Sequence, residues 1–259
     1  MTRSTPEEIA EDGMIIRSLV GSTIHGLELR GTNDRDELGV CIEPPEHVIG
    51  LRHFETWVYR TKPEGVRSEA GDLDLVVHSL RKFARLALKG NPTVLLLLYV
   101  RPEDLLLRTP LGDDLQALAP AFVSRRAGQA FQGYLTAQKQ RLVGERGQRR
   151  VNRPELVDAH GYDTKYAMHV LRLGYQGREL LETGGISLPM REHERERVFA
   201  VRRGQVAFDE VLTEIGELER ELQDLIETSP LPPDPDHAAV DAFLVRAYRE
   251  HWDAHTTDP

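Results

Sequence analysis

The sequence predicts an α+β protein in which a small mixed sheet with helices is followed by a helical domain. The first observation is a set of short runs rich in β-branched and aromatic residues, all of them before residue 80. Runs of this kind are typical of strands. They cover residues 14–20, 37–43, 54–59 and 73–77. The second observation is a change to helical spacing further along the chain.

Apolar residues recur three and four positions apart in the segments that we expect to be helices. The first such segment, residues 80–88, is followed by Gly90-Asn91-Pro92, a typical helix stop. Beyond about residue 110 the helical pattern dominates. Its main segments are 114–118, 127–143, 162–182 and 209–228, and a final short helix is expected around residues 238–252. We therefore predict a first domain over residues 1–108 and a helical domain over residues 109–259.

Composition narrows the class of protein. The apolar run from Val94 to Val100 is far shorter than the roughly 20 residues of a membrane span, and the N-terminus is polar. Cys41 is the single cysteine, which excludes an internal disulfide and a cysteine-based zinc cluster. We therefore expect a cytoplasmic protein with no membrane partner.

The charge distribution bears on nucleic acid as a partner. A formal net charge of −9 argues against a general nucleic-acid coat. Residues 138–153 nevertheless carry six basic side chains and one acid, Glu145. Such a segment suits a chosen polyanion, and it equally suits a solvated loop between two helices.

A pair of aspartates follows a glycine-serine turn. Asp34 and Asp36 are two residues apart, so on a strand both side chains point to the same face. Upstream, Gly21 and Ser22 offer backbone N–H groups and a hydroxyl to a phosphate. These are the parts needed to hold a nucleoside triphosphate together with magnesium.

A third carboxylate would complete such a site, because two-metal transfer chemistry needs carboxylates that bridge ions about 3.5–4 Å apart. Asp74, which opens the apolar run 75–77, is the best candidate. Asp72 has the same parity along the strand and is the alternative. Either would bind the second ion or receive the proton of the attacking hydroxyl.

A stripe of cations marks the helical part of the chain. Lys165, His169 and Arg172 fall at positions i, i+4 and i+7, on one face of the predicted helix. A triphosphate or an RNA backbone would offset the cost of burying these charges. The alternative is a face that is salt-bridged to Glu179, Glu182 or the first domain.

Three motifs resemble a known family. GSTIHG followed by NDRDELGV resembles the glycine-serine and Asp-x-Asp signature of the DNA polymerase β superfamily of nucleotidyltransferases. HSLRKFARLALKGNPTVLLLL, from His78, and HGYDTKYAMHVLRL, from His160, resemble the RNA-repair-associated polymerase-β-like family of predicted nucleotidyltransferases. The resemblance covers residues 13 to 225 and departs from the pattern at Asn33, Arg35 and Leu96.

The resemblance implies a polymerase-β-like palm and a Mg²⁺-dependent enzyme, with Mn²⁺ as the substitute ion. The enzyme would transfer a nucleoside monophosphate from an NTP to a hydroxyl, with an RNA end, most plausibly of tRNA, as the acceptor. The metal-binding and catalytic residues would be Asp34, Asp36 and Asp74. The nucleotide-binding residues would be Gly21, Ser22, Lys165, His169 and Arg172, with the helical domain closing over the triphosphate.

Two alternatives remain open at the level of sequence. The same chemistry would serve to modify a protein or a small molecule, as in AMPylating or antibiotic-modifying relatives. A catalytically silent nucleotide or RNA sensor is the other alternative, for which Arg35 and Leu96 are the hints. The sequence does not predict the oligomeric state.

Overall fold

The computed structural model describes residues 4–28, 35–63, 71–144 and 153–256. Within these residues it confirms the α+β class, since five strands form one sheet and helices make up most of the rest. The strands are β1 (Met14–Leu19), β2 (Arg35–Cys41), β3 (Thr56–Arg60), β4 (Leu73–Ser79) and β5 (Leu105–Arg108).

Helices precede, interrupt and follow the strands. In the first half of the chain they are α1 (Pro6–Asp12), α2 (Pro45–Val48), α3 (Leu80–Leu88), α4 (Pro92–Leu95), α5 (Pro110–Ala117) and α6 (Ala119–Phe122), with 3₁₀ turns at Leu96–Tyr99 and Pro102–Asp104. In the second half they are α7 (Arg125–Leu142), α8 (Pro154–His160), α9 (Thr164–Thr183), α10 (Glu192–Arg202), α11 (Phe208–Thr228) and α12 (His237–Thr256).

The sheet is mixed, with the strand order β3-β4-β2-β1-β5. Strand β1 pairs antiparallel with both β2 and β5, and β3 pairs antiparallel with β4. Strands β2 and β4 are parallel and in register over their whole length. Because side chains alternate between the faces of a strand, this register decides which residues of β2 and β4 lie side by side.

The predicted strands before residue 80 are all present, with ends shifted by a few residues. The elements that were not predicted include the strand β5 and the helices α1, α2, α6, α8 and α10. Helix α1 has seven residues and buries only Ile9 and Ala10, which is too short a pattern to show a period. Its start is fixed instead by a capping box, in which Thr5 and Glu8 bond each other's backbone N–H.

Contacts between Cα atoms divide the chain into two units. The first unit comprises Met1–Leu88, Thr93–Phe122 and Asp236–Pro259, and so contains the whole sheet. The second comprises Lys89–Pro92 and Val123–Pro235. The two units are defined by contacts alone. The division into a first domain of residues 1–108 and a helical domain of residues 109–259 stays a prediction.

In the first unit, one face of the sheet is covered by α1. Ile9 and Ala10 pack there with Met14, Leu75 and Val77 in one buried apolar cluster. Helix α12 is tied to the end of β2 by a buried acid, Glu43, which accepts a hydrogen bond of 2.8 Å from Tyr248 Oη. Trp252 Nε1 donates to the Glu43 carbonyl oxygen at 3.0 Å. The last helix of the chain thus belongs to the sheet unit.

The second unit is a helical bundle in which α9 packs against α7, α10 and α11. Glycines allow close approach between these helices. A Cβ added at Gly128 of α7 would lie 2.7 Å from Leu181 Cγ of α9. One added at Gly174 of α9 would lie 2.7 Å from Leu218 Cδ1 of α11. Both distances are below ordinary van der Waals contact, so a side chain at either position would force the facing leucine to shift.

Gly128→Ala is expected to lower the free energy of unfolding by about 1–3 kcal/mol, because the new methyl group overpacks the contact with Leu181. Gly133→Ala is the matched control in the same helix, where an added Cβ meets nothing within 4 Å. It should raise stability by about 0.5–1 kcal/mol, because alanine restricts the unfolded chain. Urea unfolding measures both, and equal effects would contradict the packing of α7 on α9.

Glu43→Gln is expected to flatten the dependence of stability on pH. Burial raises the pKa of Glu43 in the folded state, against smaller opposing contributions from hydrogen bonds, including that of Tyr248, and from Arg81. The folded protein therefore holds this proton more tightly than the unfolded chain does. This tighter proton binding stabilises the folded protein in full below the ordinary pKa of glutamate. The stabilisation is lost as the pH rises through the raised pKa of Glu43 in the folded state.

Urea unfolding of the wild type and of Glu43→Gln across that pH window measures the effect. The exposed Glu11 of α1 provides the control, and Glu11→Gln should keep the wild-type pH dependence. A Glu43→Gln curve parallel to the wild type would show that Glu43 does not titrate in this way.

Candidate active site

Two of the predicted carboxylates lie side by side at one end of the sheet. Asp36 of β2 is the register partner of Asp74 of β4. Partners on neighbouring parallel strands project from the same face and are separated by about 4.8 Å, the spacing between strands. Both residues are partly exposed. The sequence predicted Asp74 as the third carboxylate of the site, on a neighbouring strand, but it did not predict the register that pairs Asp74 with Asp36. That register depends on β4, and not β3, lying next to β2 in the sheet.

The glycine-serine turn closes directly over Asp36. Gly21 has φ +69°, a conformation that favours glycine, and a Cβ added there would lie 3.1 Å from both Cβ and Cγ of Asp36. The Asp36 carbonyl oxygen also accepts a hydrogen bond of 2.8 Å from Val20 N. Gly21 and the Asp36 carboxylate are therefore in contact.

The turn itself is a built structure rather than an open loop. Leu27 N donates to Ser22 O at 3.0 Å, and Gly26, with φ +68°, donates to Thr23 O at 3.0 Å. Ile24 and His25 are buried inside it. Ser22 stays partly exposed at its start, next to Gly21. The backbone of this turn is thus held in place beside the carboxylates.

Arg35 is directed away from the aspartates. On β2, residues 35 and 37 share one face while residue 36 is on the other. Arg35 and Arg17 both pair with Glu37, whose side chain is completely buried. Arg35 therefore supplies the counter-charge of a buried acid on the opposite face of the sheet.

A cation missed by sequence reasoning lies next to Asp74. Arg60 of β3 is the register partner of Asp74, and Arg60 Nε lies 3.7 Å from Asp74 Oδ1. Arg60, Asp74 and Asp36 therefore form one row across three strands. Arg60 belongs to no motif, and only the antiparallel register of β3 and β4 reveals its position.

Asp72, the alternative third carboxylate, has structural partners. Lys62 Nζ lies 3.0 Å from Asp72 Oδ2, and Thr61 Oγ1 donates to Asp72 Oδ1 at 3.1 Å. Its carbonyl oxygen accepts from Arg35 N at 2.8 Å. These contacts fix the connection into β4, and they favour Asp74 over Asp72 for the site.

Asp34 lies outside the described residues, as does Asn33, so its position relative to Asp36 stays a prediction. Among the residues that the structure describes, no group of three or more His, Cys, Asp or Glu side chains could hold a metal ion. The described pair, Asp36 and Asp74, supplies two carboxylates. Asp34, two residues before Asp36, is the third that the sequence predicts.

Leu96, where the family resemblance led us to expect a glutamate, belongs to the core. It is 4% exposed and lies in a 3₁₀ turn between the buried residues Leu95 and Leu97. A charge at this position would be buried, so the leucine is explained by packing.

The cationic stripe lies in the second unit. Lys165, His169 and Arg172 are all on α9, as predicted, and all are partly buried. Arg172 Nη1 donates to Gln176 Oε1 at 3.4 Å. Of the acids suggested as partners, Glu179 and Glu182 both lie near Arg191: Arg191 Nε is 3.1 Å from Glu179 Oε1 and Arg191 Nη1 is 3.6 Å from Glu182 Oε2.

The stripe is electrostatically unusual. Burial, reinforced by the positive charges of Arg172, Lys165, Arg153 and Arg202, lowers the pKa of His169 to about 3. Burial also lowers the pKa of Arg172 to about 10. At neutral pH the His169 ring is therefore uncharged while the arginine keeps its charge. Of the predicted basic segment, residues 138–144 and 153 are among the described residues, and residues 145–152 lie outside them.

The described helices include none that is both long enough and apolar enough to cross a membrane.

A crystal structure at 1.90 Å resolution of a nucleotidyltransferase-like protein from Exiguobacterium sibiricum 255-15 is similar to this chain, with 13% sequence identity and a TM-score of 0.31. The match covers 94% of this chain and 77% of that one. A likeness this distant carries no argument about the chemistry. No curated protein matches the sequence significantly.

The family model for the RNA repair pathway DNA polymerase beta family (RlaP) matches residues 6–246. The match spans both contact units, including the turn, the paired aspartates and the stripe on α9. This chain belongs to the RNA repair pathway DNA polymerase beta family.

Proposed function

We propose that this protein is a Mg²⁺-dependent nucleotidyltransferase that transfers a nucleoside monophosphate from an NTP to a hydroxyl at an RNA end, with tRNA as the first candidate acceptor. The single observation that carries the proposal is the contact of Gly21 with Asp36 beside Asp74. The glycine-serine turn and two neighbouring carboxylates thereby lie together at one point of the sheet. Membership of an RNA repair family supports RNA as the acceptor.

The residues fit a magnesium site by their chemistry. Mg²⁺ takes oxygen ligands and usually keeps waters and substrate phosphates in its shell, so a few carboxylates are sufficient protein ligands. Asp36 and Asp74 would hold the metal together with Asp34, and Mn²⁺ would substitute for it. When bound, the metal would stabilise negative charge that develops on the phosphates.

The chain's own groups have separate roles in this proposal. The Gly21 and Ser22 backbone N–H groups and the Ser22 hydroxyl bind triphosphate oxygens, because a fixed turn presents donors without reorganisation. Asp74 accepts the proton of the attacking hydroxyl, or holds that hydroxyl close to the α-phosphorus. The hydroxyl oxygen bonds to the α-phosphorus, the bond from the α-phosphorus to the bridging oxygen breaks, and pyrophosphate leaves. Arg60, 3.7 Å from Asp74, supplies a positive charge beside the carboxylates while no substrate is bound. The triphosphate contacts of Lys165, His169 and Arg172 stay a prediction.

The main argument for a silent sensor loses its support. Arg35 would neutralise the aspartates if it lay between them, but its guanidinium pairs with Glu37 on the other face. Leu96 is a core residue. Transfer of the nucleotide to a protein or a small molecule, by contrast, would use the same catalytic groups as transfer to RNA. Only an experiment that identifies the acceptor distinguishes these reactions.

Label transfer tests the reaction directly. The protein is incubated with each α-labelled NTP and Mg²⁺, together with tRNA-sized RNA, with no addition, or with a lysate stripped of nucleic acid. We expect label on RNA, and the preferred NTP would identify the nucleotide that is added. Label on protein alone would contradict the proposed acceptor, and the absence of transfer in every reaction would contradict the proposed enzyme.

Asp36→Asn and Asp74→Asn are each expected to lower the transfer rate by at least about 100-fold, because each removes a carboxylate charge needed for metal binding or proton transfer. The transfer assay at saturating NTP measures the loss. Asp113→Asn is the charge-matched control, since Asp113 pairs with Arg108 Nε at 2.7 Å on the surface. It should keep the wild-type rate.

The same assay separates the two candidate third carboxylates. Asp72→Asn should retain most of the activity, because Asp72 is occupied by Lys62 and Thr61. An inactive Asp72→Asn variant together with an active Asp74→Asn variant would show that Asp72, and not Asp74, is the third carboxylate of the site.

Gly21→Ala is expected to lower the transfer rate by about 100-fold, because the new methyl group would displace the Asp36 carboxylate and misplace the reacting groups. Gly184→Ala is the matched control. Gly184 has a similar φ of +75°, but an added Cβ there meets only Leu231 Cδ2, at an ordinary 3.5 Å.

Both glycine variants should lose about 1–2 kcal/mol of stability from backbone strain. Only Gly21→Ala should lose transfer activity, as measured at a temperature where both variants are folded. Equal transfer rates for the two variants would remove the turn from the site.

A further inference from the structure

One face of the β3–β4 strand pair continues directly from the paired carboxylates. The register partners on this face are Asp74 and Arg60, Val76 and Val58, and His78 and Thr56. They share a face because residues two apart on a strand point the same way. Two contacts agree with this, since Arg60 Nε lies 3.7 Å from Asp74 Oδ1 and Thr56 Oγ1 lies 2.9 Å from His78 Nδ1. We call these six residues the β3–β4 face.

The β3–β4 face becomes more exposed toward the edge of the described sheet. Leu38 of β2 is the register partner of Val76 and is 4% exposed, whereas Val76 is partly exposed and Val58 is 46% exposed. The cluster that packs with α1 contains Leu75 and Val77, which alternate along β4 with the residues of the β3–β4 face and so lie on the other side. Exposed apolar side chains on an edge strand invite association, and proteins usually avoid them there. An apolar strip therefore leads from the carboxylates to the edge strand β3.

The ion pair of Arg60 with Asp74 is of a kind that a ligand can replace. The two side chains are 36% and 41% exposed, and 3.7 Å separates Arg60 Nε from Asp74 Oδ1. Exposed pairs of this kind contribute little to stability. A metal bound to Asp74, as proposed above, would compete with Arg60 for the carboxylate. The guanidinium would then be available to phosphate oxygens, which it binds in pairs.

The order of groups across the sheet gives the candidate active site two ends. Gly21 contacts Asp36 at one end, Asp74 lies beside Asp36, and Arg60 lies at the other end. Neighbouring strands are about 4.8 Å apart, so the backbones of Arg60 and Asp36 are separated by about 10 Å. With the triphosphate at the glycine-serine turn, the acceptor hydroxyl approaches from the side of Arg60. The phosphate next to Arg60 would then belong to the acceptor and not to the NTP.

We propose that the β3–β4 face binds the acceptor as an RNA strand, with Arg60 on a backbone phosphate and with Val58 and Val76 against the sugar and base of the last nucleotide. The inference rests on the proposed function and adds the surface that selects the acceptor. A hydroxyl of an unphosphorylated protein or small molecule offers Arg60 no phosphate, so this surface favours RNA. A phosphate contact carries no sequence information, so RNA ends of different sequence should bind similarly.

Arg60→Gln is expected to weaken RNA binding by at least about fivefold, the effect of losing a charge-assisted contact. Fluorescence anisotropy of a short single-stranded RNA measures its affinity for the full-length protein, with Mg²⁺ but without NTP, so that no transfer takes place. Arg52→Gln is the matched control, because Arg52 Nη1 lies 3.5 Å from Glu46 Oε1 and both side chains are comparably exposed. It should change the affinity less than about twofold.

Val58→Glu tests the apolar part of the surface in the same assay. It should weaken RNA binding by at least about fivefold, because a carboxylate at this position would repel the RNA backbone. Val245→Glu is the matched control, since Val245 of α12 is 44% exposed. It should change the affinity less than about twofold. Wild-type affinity in both Arg60→Gln and Val58→Glu would overturn the proposal.

The salt dependence of binding separates a lost phosphate contact from a general effect on the structure. For single-stranded nucleic acid, the logarithm of the binding constant falls with the logarithm of the salt concentration, with a slope of about −0.7 per phosphate contact. Arg60→Gln should therefore make this slope less steep by about 0.7. Arg60→Lys keeps the charge and should keep the wild-type slope. A wild-type slope in Arg60→Gln would remove Arg60 from the RNA surface.

Nucleotide binding tests which end of the site Arg60 serves. Because Arg60 lies away from the glycine-serine turn, Arg60→Gln should change the affinity for NTP less than about twofold, measured with Mg²⁺ and without RNA. Reduced NTP affinity together with wild-type RNA affinity would place Arg60 on the nucleotide and overturn the proposal.

The failure of this inference is distinguishable from the failure of the proposed function. Label transfer to RNA by the wild type, together with wild-type RNA affinity in Arg60→Gln and Val58→Glu, would overturn the surface and leave the proposed function standing. Label transfer to protein alone would overturn the RNA acceptor and, with it, this surface.

A measurement on the wild type covers the case in which a variant does not fold. An RNA whose last nucleotide carries a photoreactive thiolated base is cross-linked to the protein, and the attached peptide is identified by mass spectrometry. We expect attachment within residues 56–60 or 74–78, the strand segments that carry the β3–β4 face. Attachment confined to other parts of the chain would overturn the proposal.

Discussion

The in-register parallel pairing of β2 with β4 is the constraint on which the candidate active site depends. It sets Asp36 beside Asp74, and the antiparallel addition of β3 then sets Arg60 beside Asp74. A shift of one residue would move one aspartate of the pair to the opposite face of the sheet. Two strands far apart in sequence thereby bring two carboxylates together at one end of the sheet.

Electrostatic separation across the sheet keeps that edge acidic. Glu37 is completely buried and is paired with both Arg17 and Arg35. A buried carboxylate needs such partners, because an unpaired charge in the interior is strongly destabilising. The same pairing holds Arg35 on the Glu37 face. The residue that looked like an obstacle to metal binding in the sequence thus stabilises the strand that carries Asp36.

The helical unit uses a different physical means to organise its residues. Gly128 and Gly174 let α9 approach α7 and α11 closely, so α9 is held by packing along its length. A helix held in this way can carry charges at fixed positions, which Lys165, His169 and Arg172 require. Burial, with the nearby positive charges as a smaller cause, lowers the pKa of His169.

The sequence by itself determined the α+β class, the strands before residue 80, the long helices after residue 110 and the chemical types at the site. It did so because strand and helix periodicity and motif spacing are local properties of the chain. The elements that it missed include α1, which is too short to show a period, and also β5, α8 and α10. Only the tertiary structure decided that Asp74 lies beside Asp36 and that Arg60 lies next to Asp74. It also decided that Asp72 contacts Lys62 and Thr61 instead. The physical reason is that register and strand order depend on contacts between distant segments, which no local pattern records.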